Sequence, residues 1–193
     1  MLRRLTFAMM AAVVCLSGCG ALKIVANPDY EAWAGFGVGS YVTFEGTEIV
    51  GRGEQKQRVT EKLVSLNEQE AELELTVTYI DDEGNESEPG VVKRRVPAEI
   101  FATQDPSTHP DSDVDVVGTE VIEVGGEALE CTVIEVNLDT QFLMLGQKLN
   151  ARICANDKIP GGKVKVTQAT ITPDRYYQSD RQVVEWESVV GEE

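Results

Sequence analysis

The chain has 193 residues, with 17 basic side chains against 33 acidic ones and a net charge of −16. So acidic a chain, whose only basic triplet is Lys93-Arg94-Arg95, lacks the cationic footprint that nucleic-acid binding requires. Its field also opposes lying flat on anionic head groups.

The N-terminus carries Arg3 and Arg4, then the apolar run Leu5 to Leu16, then Ser17-Gly18-Cys19. A basic start, a short apolar stretch and small residues ahead of a cut mark a secretory signal. The run of about twelve residues falls short of the roughly 20 that span a bilayer as a helix. The ending Leu16-Ser17-Gly18-Cys19 is similar to a bacterial lipobox, which implies that Cys19 receives diacylglycerol and becomes the first mature residue. A plain signal peptide cut elsewhere, or an uncleaved anchor, would leave Cys19 at that point unexplained. Two or more acyl chains hold a protein stably on a membrane, at about 0.8 kcal/mol per buried CH₂. Gly20, in place of the Asp that retains such proteins in the inner membrane, points to the outer membrane facing the periplasm. Loss of residues 1–18 removes Arg3 and Arg4, leaving 15 basic against 33 acidic residues and a mature charge of −18.

Residues 19–27 read as a lipid-anchored tether and 28–193 as one antiparallel β domain, long enough for a real core. Asn27-Pro28-Asp29 starts a short helix and Gly35 stops it: Asn caps, Pro suits the first helical position and acids favour the positive end. Trp33 and Phe36 are expected to plug one end of the domain. From Gly39 on, strands are expected at 39–46, 56–66, 71–80, 90–97, 118–124, 128–137, 148–155, 163–172 and 182–189. The clearest is 71–80, where Leu73, Leu75, Val77 and Tyr79 alternate with polar residues. Many short strands with regular turn signals predict a mainly β fold: an antiparallel curved sheet, sandwich or half-open barrel. Lys93-Arg94-Arg95 fits a solvated strand edge, and the polar, Pro-broken stretch 104–117 a long surface loop.

Cys15 leaves with the signal, so Cys131 and Cys154 remain as a pair in an oxidising compartment, where a disulfide is the default. Pairing 128–137 with 148–155 so that Cys131 faces Cys154 also sets Thr132 against Ile153, Ile134 against Ala151 and Val136 against Leu149. That register predicts the bridge, worth roughly 3 kcal/mol in the chain-entropy model. A redox pair would prefer C-x-x-C spacing, and two cysteines with one distant histidine make a poor zinc set.

Between those strands, Phe142-Leu143-Met144-Leu145 is an unusually apolar connector. It suits either core that folds back or an apolar lip at the mouth of a ligand cavity, where Met adapts to varied shapes. His109, the single histidine, lies between prolines in a polar loop, which is poor support for a Ser-His-acid triad. Asp111, Asp113 and Asp115 have calcium-loop spacing but lack the Gly and bidentate Glu of an EF-hand. No Gly-rich loop precedes a helix. No catalytic site, resident metal or cofactor is therefore expected.

Trp33…Phe36…Gly39-Ser40-Tyr41-Val42, then Val124-Gly125-Gly126…Leu129-Glu130-Cys131, then Ile159-Pro160-Gly161-Gly162-Lys163-Val164-Lys165 is similar to secreted and lipid-anchored proteins of the planctomycete type. More distantly it resembles the half-barrels of lipoprotein carriers and periplasmic lipid-binding proteins. The resemblance covers roughly residues 30–170 and implies a curved half-barrel and a carrier-like role. The chain departs from the pattern at Cys154, where an aromatic is usual. Pro160-Gly161 is itself type II turn chemistry. The expected function is a non-catalytic envelope lipoprotein that binds an apolar ligand or another lipoprotein. The alternative is a structural or protein-interaction role with no small-molecule ligand.

Overall fold

The structure is a computed structural model and describes residues 23–51, 53–105, 112–140, 147–172 and 176–190. Among them are one α-helix, α1 (Pro28–Ala34), a 3-10 turn at Ala102–Gln104 and eleven strands. The strands are β1 (Ile24–Ala26), β2 (Tyr41–Val50), β3 (Gly53–Leu66), β4 (Glu70–Ile80), β5 (Gly90–Pro97) and β6 (Glu99–Phe101), then β7 (Ser112–Val124), β8 (Glu127–Thr140), β9 (Gln147–Ala155), β10 (Lys163–Ile171) and β11 (Tyr176–Glu187).

Nine strands form one antiparallel sheet in the order β5-β4-β3-β2-β11-β10-β9-β8-β7, and β1 pairs with β6 alongside. The sheet curves without closing into a barrel. Register breaks at Leu63/Ser65, Val116/Gly118, Lys163/Lys165 and Val183/Glu185 act as bulges, each adding local twist and bend. The curl carries β7 back towards β11, four strands away, until Gln182 donates from Nε2 to the carbonyl of Glu123 at 3.4 Å. At Gly46 in β2 a Cβ would lie 2.0 Å from the carbonyl oxygen of Asp180 in the neighbouring β11. Only glycine fits there.

The apolar side chains gather into one cluster. Val42, Phe44, Leu63, Leu73 and Val96 come from one half of the sheet, and Ile122, Leu129, Cys131, Val133 and Cys154 from the other. Val164 and Val183 sit between them, with Trp33 and Ile159 completing the cluster. Helix α1 forms as its sequence dictates. Asn27 accepts from the Asp29 N–H at 3.1 Å, Pro28 takes the first position, and Gly35 ends the helix by donating to the carbonyl of Trp33. Trp33 is 2% exposed, and Phe36 packs half-buried against the same cluster. Pro160 and Gly161 make the expected turn: Gly161 has φ +76°, and Gly162 donates back to Ile159 at 2.8 Å. A Cβ on Gly161 would stand 3.1 Å from the Trp33 ring, so the same glycine serves both the turn and the ring that lies on it.

All nine expected strands are present, with two corrections to their surroundings. The surface loop assigned to 104–117 becomes strand from Ser112 onward, because β7 pairs with β8 along its whole length. The tether contains β1, whose Ile24, Val25 and Ala26 pair with Phe101, Ile100 and Glu99.

Replacing Trp33 with Ala empties the space between α1 and the turn at Gly161. The expected cost is about 3–5 kcal/mol, measured by urea unfolding.

Candidate binding surface

Helix α1 spans the open side of the curled sheet and is fastened at both ends of that opening. Towards β4 and β5, the Asn27 backbone donates to Ala98 at 2.8 Å and its Nδ2 to Pro97 at 2.7 Å. Tyr30 donates its hydroxyl to the carbonyl of Asn67 at 2.8 Å. On the β10 side, Gly161 donates to the carbonyl of Ala32 at 3.1 Å, and Lys163 Nζ sits 2.7 Å from Asp29 Oδ1. Just beyond the helix, Gly37 donates to Val189 at 2.6 Å. The buried Ser40 hydroxyl donates to Gly37 and accepts from the Val189 N–H, both at 2.8 Å.

The electrostatics concentrate at Asp29. Burial pushes its carboxyl up, but the charge and hydrogen bond of Lys163, with Arg94 and Arg181 farther off, outweigh it and leave the pKa below its usual value. Arg94 also reaches Glu61 at 3.7 Å, and the Arg181 guanidinium lies 5.1 Å from the centroid of the Phe44 ring, a cation–π contact. Sequence reasoning missed this set. Asp29, Glu61, Arg94, Lys163 and Arg181 come from five elements, and no local spacing announces their meeting.

Two grooves flank α1, and Glu31 contributes to both. One, of about 730 Å³, lies between the helix and the β8–β9 side, with Phe36, Glu130, Thr132, Asn156 and Gly162 in its wall. The other, of about 580 Å³, lies towards β5, with Tyr30, Gln69, Pro97 and Glu99. Both volumes fall in the range of small-molecule sites. Both walls mix polar and apolar groups and open to solvent, whereas the strongly apolar surface is filled by Trp33 and its neighbours.

The expected disulfide is absent: Cys131 and Cys154 are both free and buried. The register differs from the expected one by two residues, setting Val133 opposite Cys154 and Glu120 opposite Cys131. The two cysteines thus become diagonal neighbours, a relation of about 7–8 Å between Cα atoms, beyond the usual disulfide span of about 4.4–6.8 Å. A shift of two leaves every side chain on its own face, so alternation cannot choose between the registers. Charge pairing can: the observed one places Arg152 beside Glu135 at 3.1 Å and Lys148 beside Asp139 at 2.8 Å, and sets Ile134 against Ile153 and Leu138 against Leu149. Arg152 also reaches Glu120 at 3.2 Å. Burial raises the pKa of both thiols, and the negative charge of Glu120 adds to it. They remain protonated and poorly nucleophilic at neutral pH.

Of the other singled-out residues, Asp113 and Asp115 lie in β7 opposite Asn137 and Glu135. Cys19, His109, Asp111 and the connector Phe142, Leu143, Met144 and Leu145 lie outside the described residues. Among the described residues, no three His, Cys, Asp or Glu side chains are grouped so as to hold a metal. No helix there is long and apolar enough to cross a membrane.

Two predictions test this geometry. Protein unfolded without reductant should titrate both Cys131 and Cys154 as thiols, and in the folded state both should alkylate slowly; an intact mass two hydrogens light would contradict the register. Asp29→Asn should cost up to about 1 kcal/mol at pH 7, since the ion pair is partly exposed. A depressed folded pKa means Asp29 stabilises fully above its ordinary value of 3.8 and loses that contribution as pH falls through the lower folded value. The gap between wild type and variant in thermal unfolding should therefore close below about pH 4.

No protein-family model matches the chain, and no curated protein does. Among solved structures it is similar to that of MucB, with 14% identity and a TM-score of 0.48 over 86% of this chain and 58% of that one. The chain thus spans less than two thirds of MucB. It is also similar to a putative outer membrane lipoprotein-sorting protein domain from Vibrio parahaemolyticus, with 10% identity and a TM-score of 0.27 over 86% of this chain and 91% of that one.

Proposed function

We propose that the protein is a non-catalytic binding module of the cell envelope, held to the outer membrane by lipid on Cys19, which takes up an apolar ligand or the acylated end of another lipoprotein. The observation that carries this reading is the open, curved sheet with a single seven-residue helix fastened across its open side and a groove on either flank. A ligand with a long apolar chain gains most where apolar surface is largest, at about 25 cal/mol per Å² buried. In this fold that surface lies under α1. In the proposed mechanism α1 is the element that gives way. Its attachments are a few hydrogen bonds and one ion pair, whereas the sheet is held by continuous ladders. The grooves admit the ligand's polar end, and release of Trp33 exposes the apolar cluster.

The apolar stretch Phe142, Leu143, Met144 and Leu145 belongs to the same reading, as the segment whose side chains would contact the ligand. Without an occupant, the sheet would instead serve as a contact surface for other envelope proteins.

Native mass spectrometry of residues 20–193, purified from periplasm without detergent, distinguishes the two. Binding predicts a reproducible added mass that extracts as lipid and is lost in a Leu143→Ser/Met144→Ser variant of unchanged melting temperature. A bare polypeptide mass would support the contact-surface role.

A further inference from the structure

The nine-stranded sheet ends in β5 on one side and β7 on the other, and among the described residues no strand pairs with either outer edge. An unpaired edge is a template for another strand, and proteins commonly blunt it with charge. Here the two edges carry opposite charges. β5 holds Lys93, Arg94 and Arg95, whereas β7 holds Asp113, Asp115, Glu120 and Glu123. Lys93 lies 2.6 Å from Glu72, yet its side chain stays 63% exposed, and that of Arg95 stays 71% exposed. Arg94 and Glu120 are drawn to Glu61 and Arg152; Lys93 and Arg95 reach Glu72 and Glu70 within their own chain, yet their largely exposed side chains remain accessible to Asp113 and Asp115 of a neighbour. Both edges also expose β-branched surface: Val91 and Val92 on β5, and Val116 and Val121 on β7, at 58%, 62%, 70% and 65%.

We infer that the β7 edge receives the β5 edge of a second copy of this chain, continuing the sheet from one molecule into the next. Charge selects this pairing over the symmetric ones. β7 against β7 would oppose Asp113 and Asp115 to their own kind, and β5 against β5 would do the same with Lys93 and Arg95. Like charges directly opposite are destabilising and opposite charges favourable across a strand pair. The contact is head-to-tail, so it propagates into a ring or a row and does not stop at a dimer. Strands alternate in direction across the sheet, so β5 and β7, eight steps apart, run the same way. Copies continued in one orientation pair these edges in parallel and keep every N-terminus on the same side. Attachment of all copies to one membrane through Cys19 requires that arrangement; this point about orientation rests on the proposed lipid anchor, and the edge pairing does not.

The test is sedimentation velocity of the full chain in mild detergent over a range of protein and salt concentrations. At low salt, species larger than the monomer should grow with concentration. They should disperse in about 1 M NaCl, where the Debye length falls to about 3 Å. Asp113→Lys/Asp115→Lys and Lys93→Glu/Arg95→Glu should each abolish assembly alone, and an equimolar mixture of the two variants should restore it. That restoration separates a lost contact from a lost fold. A wild-type protein that stays monomeric at every concentration and salt would overturn the inference, as would variants that assemble as well as the wild type. The salt series on the unmodified protein decides even if a variant does not fold.

Discussion

The Trp33 ring lying against Gly161 is the contact on which the arrangement depends. An antiparallel sheet with one apolar side must cover that side, and here the sheet curls far enough for Gln182 to reach the Glu123 carbonyl without closing. What remains open is covered by seven residues of helix. A helix that short has little stability of its own; it persists because Asn27 caps it, Lys163 holds Asp29, and Trp33 enters the cluster formed by both halves of the sheet. Gly161 makes room for the ring through a backbone conformation that other residues adopt only under strain.

The polar contacts around α1 set its character. They tie the helix at two sides of the opening, to Pro97 and Asn67 on one and to Lys163 and Gly161 on the other. In the proposed mechanism a cover fastened this way is fixed in place yet separable from what it covers. The ladders joining β8, β9 and β10 include no hydrogen bond from α1. Its opening would expose Leu63, Leu73 and their neighbours beside two grooves that already admit solvent.

Much of the fold was legible because its signals are local. Asn27-Pro28 and Gly35 bound the helix where capping chemistry places it, and the alternation around Leu73 marks β4. Pro160-Gly161 makes the turn its residues require. Non-local choices were not legible. Ser112 to Val117 belongs to an edge strand with one neighbour, which needs no buried face, so its polar residues resemble a loop. The pairing of β8 with β9 is fixed by Arg152 meeting Glu135 and Lys148 meeting Asp139; alternation tolerates a shift of two, and so Cys131 and Cys154 are diagonal and unbridged. The charges around Asp29 come from five separate elements and meet only in the folded chain.

The central claim is that α1 is a cover separable from the sheet, and native-state hydrogen exchange tests it most directly. The amides of residues 28–34 should exchange through a local opening, with lower free energy of protection than Val164 to Val166 in β10 and Cys131 to Val133 in β8. Equal protection of helix and sheet would mean that α1 leaves only when the whole protein unfolds, and would contradict the account.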